Sequence, residues 1–277
     1  MRRTAILFSI VVLLTPVAAQ TQDTELVVVP AVAYRLPGFD ENLWTSEIYF
    51  SNPTSIEGTI RMGYVLPGNT VPPDAWNSCP WTGPWEIQLS PESSEWYEMV
   101  GDLCEATEAV GAYVFEATDG IVVTSRMVNH DPDVADCCQS HLSGFGSELP
   151  GIPLSQLPQS GAHLLPTLIW HPDRCGPRTF DTYVGFANPY DADVHVAIDL
   201  AGDSADPTNP DFPKVMKVPA LSWQQIGIRP PTSDGATCGS PELFDLRLDI
   251  DGPLAIYGSV VDRGRQDGRV VLPLPLE

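Results

Sequence analysis

Apolar and polar residues alternate along most of this chain once its first twenty positions are passed. Trp44, Ile48 and Phe50 fall on one side of a two-residue period, with Thr45, Glu47 and Tyr49 on the other. Phe180, Val184 and Phe186 repeat that face, and Phe244, Leu246, Leu248 and Ile250 alternate with Asp245, Arg247 and Asp249. A period of two marks strands that bury one face, because successive side chains leave a strand on opposite sides. No sustained helical period follows Gln20.

The pattern is used twice. Trp44-Thr45-Ser46-Glu47-Ile48-Tyr49-Phe50-Ser51-Asn52-Pro53 recurs as Phe180-Asp181-Thr182-Tyr183-Val184-Gly185-Phe186-Ala187-Asn188-Pro189, an offset of 136 residues. The same offset joins Pro30 to Pro166 and lays Ile60, Met62 and Tyr64 over Val196, Ile198 and Leu200. A register kept over such a span means two copies of one structural unit. Asn-Pro closes the equivalent strand in each copy, since proline cannot donate to a ladder and drives the residue before it out of the helical region. Asp119-Gly120 and Asp251-Gly252 supply hairpin turns. The first copy is expected to hold strands near 26–34, 44–51, 59–66, 85–89, 95–99, 111–117 and 121–129. The second is expected to hold them near 164–171, 180–187, 194–200, 214–218, 222–228, 243–250 and 254–262. Trp96 and Trp223 then share one place in the fifth strand.

Seven short antiparallel strands per copy predict an all-β chain of two tandem β-sandwiches, immunoglobulin-like, with a small barrel as the alternative. The first sandwich is assigned residues 20–150 and the second 151–277. Asp131 to Ala162, rich in Gly, Pro and Ser, is too long for an ordinary connection and is expected to be a functional loop or partly disordered. Val27-Val28-Val29-Pro30, Leu164-Leu165-Pro166 and Val271-Leu272-Pro273 read as three uses of one edge-strand phrase, which predicts an extra terminal strand.

Residues 1–19 have the form of a secretory signal peptide: Arg2 and Arg3, an apolar run from Ala5 to Leu14, then Val17-Ala18-Ala19 before Gln20. That run is too short to span a bilayer of roughly 30 Å as a helix, and no later stretch is apolar enough. The expectation is a secreted or periplasmic protein with no membrane span. Removing Arg2 and Arg3 with the leader takes the basic count from 14 to 12 against 36 acidic residues, a net charge of −24. Lys214 and Lys217 are the only lysines. Such a field repels nucleic acid and anionic surfaces and keeps a solvated coat on the protein.

The repeat phrase is an aromatic residue, a polar step, an alternating strand and Asn-Pro. It resembles that of a class of uncharacterised secreted bacterial proteins built from tandem β-sandwich modules. The resemblance covers nearly all of the chain after the leader. It implies an extracytoplasmic, non-catalytic protein and transfers no site residues.

Six cysteines in an exported chain are disulfide candidates. Strand order places Cys79, Cys104, Cys137, Cys138, Cys175 and Cys238 at one end of their modules, since successive strands alternate in direction. Cys175 and Cys238 have only each other in the second copy. In the first copy Cys79 and Cys104 are expected to pair crosswise with Cys137 and Cys138, because a vicinal bridge closes a strained ring. Each bridge contributes roughly 2–4 kcal/mol by restricting the unfolded chain.

His130, Cys137, Cys138 and His141 form a Cys/His cluster, but its spacing matches no standard zinc module and oxidation would consume the thiolates. Asp203, Asp206, Asn209 and Asp211 offer hard oxygen ligands suited to calcium without the EF-hand pattern, so calcium is the one cofactor the residues suggest. Gly-x-Ser-x-Gly, His-Glu-x-x-His and phosphate-loop motifs are all missing from the chain, and no enzymatic role is expected. The strongest recognition feature is Trp76, Trp81 and Trp85 on a proline-rich loop, rigid rings suited to a protein partner or to stacking on sugars. The expected function is a non-catalytic structural or interaction module of the exported fraction. A carbohydrate-binding module, or less so a hydrolase, using the Trp76–Trp85 loop is the alternative. Any binding surface is expected to include that loop and the neighbouring Asp131–His141 loop, because long pinned loops on a rigid scaffold bind at low ordering cost. Non-reducing peptide mapping of the exported chain is expected to recover Cys175 joined to Cys238; alkylation of either thiol without prior reduction would sink the pairing.

Overall fold

The alternating segments fold as strands that differ from their predicted bounds by at most a few residues. The computed structural model describes residues 23–34, 36–37, 43–68, 86–98, 109–130, 146–171, 180–202, 212–229, 242–262 and 267–276. The first copy contains β1 (Thr24–Tyr34), β2 (Leu36–Pro37), β3 (Leu43–Asn52), β4 (Gly58–Pro67), β5 (Glu86–Leu89), β6 (Ser93–Glu98), β7 (Ala109–Thr118), β8 (Val122–His130), β9 (Gly146–Pro150) and β10 (Ile152–Pro153). The second contains β11 (Gly161–Trp170), β12 (Phe180–Asn188), β13 (Val194–Ala201), β14 (Lys214–Val218), β15 (Ser222–Ile228), β16 (Glu242–Ile250), β17 (Ala255–Asp262), β18 (Asp267–Val271) and β19 (Leu274–Pro275). Among the described residues, helical geometry is confined to a 3-10 turn at Leu154–Gln156 and to Gly202.

The strands form four antiparallel sheets, and the chain is an all-β protein of the sandwich type. In the first sandwich, β10-β1-β7-β4-β5 is the inner sheet, and β3, β8 and β9 with β2 and β6 form the outer sheet. Val27, Val29, Phe115 and Ile60 of the inner sheet meet Ile48, Phe50 and Val123 of the outer one in a single core. The second sandwich has an inner sheet β15-β12-β17-β18 and an outer sheet β14-β13-β16-β11-β19. Val184, Phe186 and Ile256 there meet Leu165, Val196, Leu246 and Leu248.

The repeat holds in the register of most ladders, though β4 and β7 slip between Met62 and Tyr64 where β13 and β16 run unbroken. Val28 pairs with Val114 and Ala33 with Val110, just as Leu164 pairs with Arg247 and Ile169 with Leu243. Both ladders slip at the shared proline, between Val29 and Val32 and between Leu165 and Leu168. A bulge is where a strand with neighbours on both sides can hold a residue without an N–H, which explains the matched Pro30 and Pro166. Buried hydroxyls join the sheets at matched points as well. Ser46 Oγ accepts the Ala33 N–H at 2.8 Å, and Thr182 Oγ1 donates to the Ile169 carbonyl at 2.5 Å.

Asn-Pro does more than end a strand. Asn52 and Asn188 are buried. Each Nδ2 donates to the carbonyl four residues ahead, Ile56 or Ala192, at 2.8 Å. It also reaches two carbonyls of the turn before the next strand of the same sheet, Leu89 and Ser90 or Val218 and Pro219. Each Oδ1 accepts the N–H two residues ahead, Thr54 or Tyr190, at 3.1 Å. One amide thus clips two turns together in both copies, which neither serine nor aspartate can do because neither carries an NH₂ group.

Two expectations need correction. Part of the Asp131–Ala162 segment is ordered strand: β9 pairs with β8 in the outer sheet, and β10 crosses to pair with β1 in the inner one. The crossing is at Gly151, where a Cβ would lie 2.7 Å from Val27 Cγ1 and 2.9 Å from the Val123 carbonyl. The edge-strand phrase also fails: β1 lies between β10 and β7 and β11 between β16 and β19, and Val271-Leu272-Pro273 is the counterpart of this crossing, not of β1, because β18 pairs with β17 and β19 with β11. The Asp131–His141 portion lies outside the described residues.

Asn188→Ala removes the donors and strands three carbonyls, and is expected to cost about 3 kcal/mol, a fall of roughly 6–12 °C in thermal midpoint. Asn188→Asp is expected to fare no better, since it keeps only the acceptor. An unchanged midpoint in either variant would show that the clip carries no stability.

Candidate functional site: the junction and the outward faces

Both inner sheets bury their second face. Val28, Ala112, Val114 and Leu66 of the first sandwich lie against Ala187, Ala255, Tyr257 and Trp223 of the second. The molecule is therefore four sheets deep, and the continuous apolar runs Val27-Val28-Val29 and Ala112-Tyr113-Val114-Phe115 are the sequence signal of that two-sided burial.

Trp223 is the junction's polar link. It follows Ser222, the residue paired with Asn188, and is 3% exposed. Its Nε1–H donates to the Pro30 carbonyl at 2.8 Å, across 193 residues of sequence. The β1 bulge presents that carbonyl to the second sandwich. Beside it the Tyr257 ring lies over its cross-strand neighbour Gly185, where a Cβ would come within 2.0 Å of Tyr257 Cζ and 2.3 Å of its hydroxyl oxygen. Burial pushes the Tyr257 phenol far up. Gly68 also meets Trp223, with room for no side chain: a Cβ would lie 2.7 Å from the Val110 carbonyl and 2.9 Å from Trp223 Cε3.

Trp96 differs from Trp223 in both place and burial. Ser93 pairs with Asn52 as Ser222 pairs with Asn188, so Trp96 stands two residues further along its strand than Trp223. Two residues keep it on the same face, which in the first copy points outward. Trp96 is opposite Tyr49 there and is about half exposed. The Tyr49 hydroxyl donates to Glu47 Oε2 at 2.5 Å, and burial, then Glu47, raises its pKa against the opposing effect of Arg126.

The second outer sheet shows a more charged face. Arg247 pairs with Asp249 at 3.0 Å and Lys217 with Asp193 at 3.0 Å. Hydrogen bonds from the Ala220 backbone and then Lys217 hold Asp193 below the usual carboxylate range. The backbone and then the ring of His195 do the same for Asp251. These exposed pairs are surface features and contribute little stability.

A cleft of about 610 Å³ runs along one side of the junction, lined by Pro150, Pro153, Leu157, His163, Leu272 and Pro275 among others. Its one imidazole, His163, already contacts the Gln159 carbonyl through Nε2 at 2.8 Å. Its other polar side chains are Gln156, Gln159 and Ser160, and no carboxylate lines it among the described residues. Nor do three or more His, Cys, Asp or Glu residues gather anywhere among them in a way that could hold a metal.

Trp76, Trp81, Trp85, all six cysteines, and Asp203, Asp206 and Asp211 lie outside the described residues. What the sequence reading missed is the junction: Trp223, Pro30 and the Gly185–Tyr257 pair. No protein-family profile, curated protein sequence or solved structure matches this chain. Among the described residues no helix is long and apolar enough to cross a membrane.

Trp223→Phe leaves the Pro30 carbonyl without its donor in a dry contact and is expected to cost about 1–3 kcal/mol. Trp223→Ala adds a cavity and is expected to cost about 3–5 kcal/mol. Because the loss falls between the sandwiches, the denaturant transition followed by circular dichroism is expected to broaden or split. A single transition with an unchanged midpoint in Trp223→Ala would show that the sandwiches are not coupled there.

Proposed function

We propose that this chain is a non-catalytic structural and interaction module of the exported fraction, a rigid body that presents its faces and loops to a partner. The observation that carries the reading is the apolar junction, which fuses two copies of one sandwich into a single four-sheet unit. Burial there holds the two outward faces at a fixed distance and orientation, which suits a scaffold for recognition. The cleft at the junction's side is walled mainly by proline and leucine, with Gln156, Gln159, Ser160 and His163 as its polar side chains and, among the described residues, no carboxylate beside the imidazole. The signal-peptide pattern and the acidic composition support the exported assignment. Disulfides among the six cysteines would pin the loops at one end of each sandwich, and the Trp76–Trp85 loop belongs to that end by strand order.

A glycan array and a panel of glycoside substrates test this reading together. The purified chain is expected to retain no glycan specifically and to hydrolyse none. Specific binding abolished by Trp81→Ala would replace it with the carbohydrate-binding alternative, and turnover would replace it with a hydrolase.

A further inference from the structure

We propose that the chain associates with a second copy of itself head to tail, the second outer sheet of one molecule covering the first outer sheet of the next. The contact continues the junction inside the molecule. The proposal rests on reading the chain as an interaction module and names the partner.

Within the molecule the two copies meet through non-equivalent sheets. Face to face, the first copy uses its β1-type sheet and the second its β3-type sheet, here β12 with β15 and β17, while at one edge β9 of the first outer sheet, with Leu149, also reaches β18. Each molecule therefore still has one face of each type pointing outward: the β3-type sheet of the first copy and the β1-type sheet of the second. The shared register identifies, for each residue of the junction, its counterpart on these free faces.

On the β1-type side, Val28, Val110 and Ile152 are covered by the second sandwich. Val28 pairs with Ile152, and Leu164 pairs with Leu274. Ala33 pairs with Val110, and Ile169 pairs with Leu243. The counterparts of Val28, Val110 and Ile152 are thus Leu164, Leu243 and Leu274. All three positions are apolar again, yet Leu243 is 63% and Leu274 53% exposed. They lie on the adjacent strands β16, β11 and β19, around Pro166, the counterpart of Pro30. A solvated sheet face would carry polar residues at these places.

The β3-type side gives the same result. Ala187 pairs with Ala255 in the junction, and Ser51 pairs with Val122 on the free face. Val122, the counterpart of Ala255, is 52% exposed, and Trp96 on the same face is 47% exposed.

The contact between molecules is weaker than the one inside. Ala112 and Val114 are replaced by Asp245 and Arg247, and Trp223 and Tyr257 by Ser94 and Thr124. Charge and hydroxyl replace about half of the apolar set, which makes the association reversible. Because a face of one type meets a face of the other, it does not close at a dimer but grows as a linear stack. The net charge of −22 opposes it, so added salt strengthens it by screening.

Sedimentation velocity over a range of concentrations, at low and raised ionic strength, tests the proposal. The mean mass is expected to rise with concentration without a plateau at the dimer, and to rise further in salt. Leu243→Arg and Val122→Arg change exposed positions and lower the net negative charge, so lost association in either cannot be laid to extra repulsion. Each is expected to weaken association at least tenfold, with an unchanged circular dichroism spectrum. An equimolar mixture of the two variants is expected to form heterodimers and stop there, since one variant keeps the β1-type face and the other the β3-type face.

A chain that stays monomeric at every concentration overturns the proposal. So does a wild-type oligomer that neither substitution weakens, or a mixture that stays monomeric. Capture of a different partner by a monomeric chain would end this proposal and leave the interaction-module reading standing. Turnover by a chain that nonetheless stacks would do the reverse.

Discussion

The burial of each inner sheet on both of its faces is the constraint from which the rest of this structure follows. In β7, Tyr113 and Phe115 face their own core while Ala112 and Val114 face the other sandwich. In β1, Val27 and Val29 turn one way and Val28 the other. A strand buried on both sides leaves no water for a stray polar group, so each polar atom admitted must find a partner inside. The Trp223 indole meets this demand through the Pro30 carbonyl, and the small residues Gly68 and Gly185 meet it by leaving room for the rings beside them. The Tyr113 hydroxyl is an exception, buried with no hydrogen-bond partner among the described residues, and burial pushes its phenol far up.

The second consequence is asymmetry between copies that share a register. Each sandwich keeps the bulge at its proline, the hydroxyl between its sheets and the asparagine clip, because these hold one sandwich together whatever lies outside it. The copies differ in the core, where Tyr113 and Phe115 stand for Leu246 and Leu248, and also at residues whose side chains leave the sandwich. Tyr49 in the first copy stands where Gly185 stands in the second, since only the second must admit a tyrosine ring from its cross-strand neighbour under a covering sheet. Val114 stands where Arg247 does, since only the first copy's β1-type sheet is covered within the molecule. Divergence at these outward positions leaves two exposed faces that differ in chemistry, which is the physical basis for reading the chain as a module that other surfaces meet.

The strand pattern, the doubling of the unit and the turn at Asn-Pro were legible in the sequence, while the clip that Asn52 and Asn188 make to carbonyls 30–38 residues away was not. Alternation over Phe244–Ile250 fixes which side of β16 is apolar wherever that strand is placed. β9 and β10 were not legible: Gly146–Pro150 and Ile152–Pro153 are short, broken by Gly151, and paired to strands far away in the chain. The displacement of Trp96 from Trp223 was hidden for a related reason. Two residues along a strand keep the same face, so alternation alone cannot tell the two positions apart, and only the pairing of Ser93 with Asn52 does. The sequence-level site, Trp76 to Trp85 and the cysteines, belongs to segments between the described strands.

By itself, then, the sequence determined the local period, the turns and the repeat, since side-chain alternation and proline geometry are properties of the chain wherever it lies. The run Val27-Val28-Val29 reads in sequence as an edge strand, and only the pairing of β1 with both β10 and β7 places it inside a sheet. Only the tertiary structure decided that a β1-type sheet of one copy lies on a β3-type sheet of the other. A strand's alternation specifies that it has two faces; which surface comes to rest against the second is set by the shapes of residues as far apart as Pro30 and Trp223.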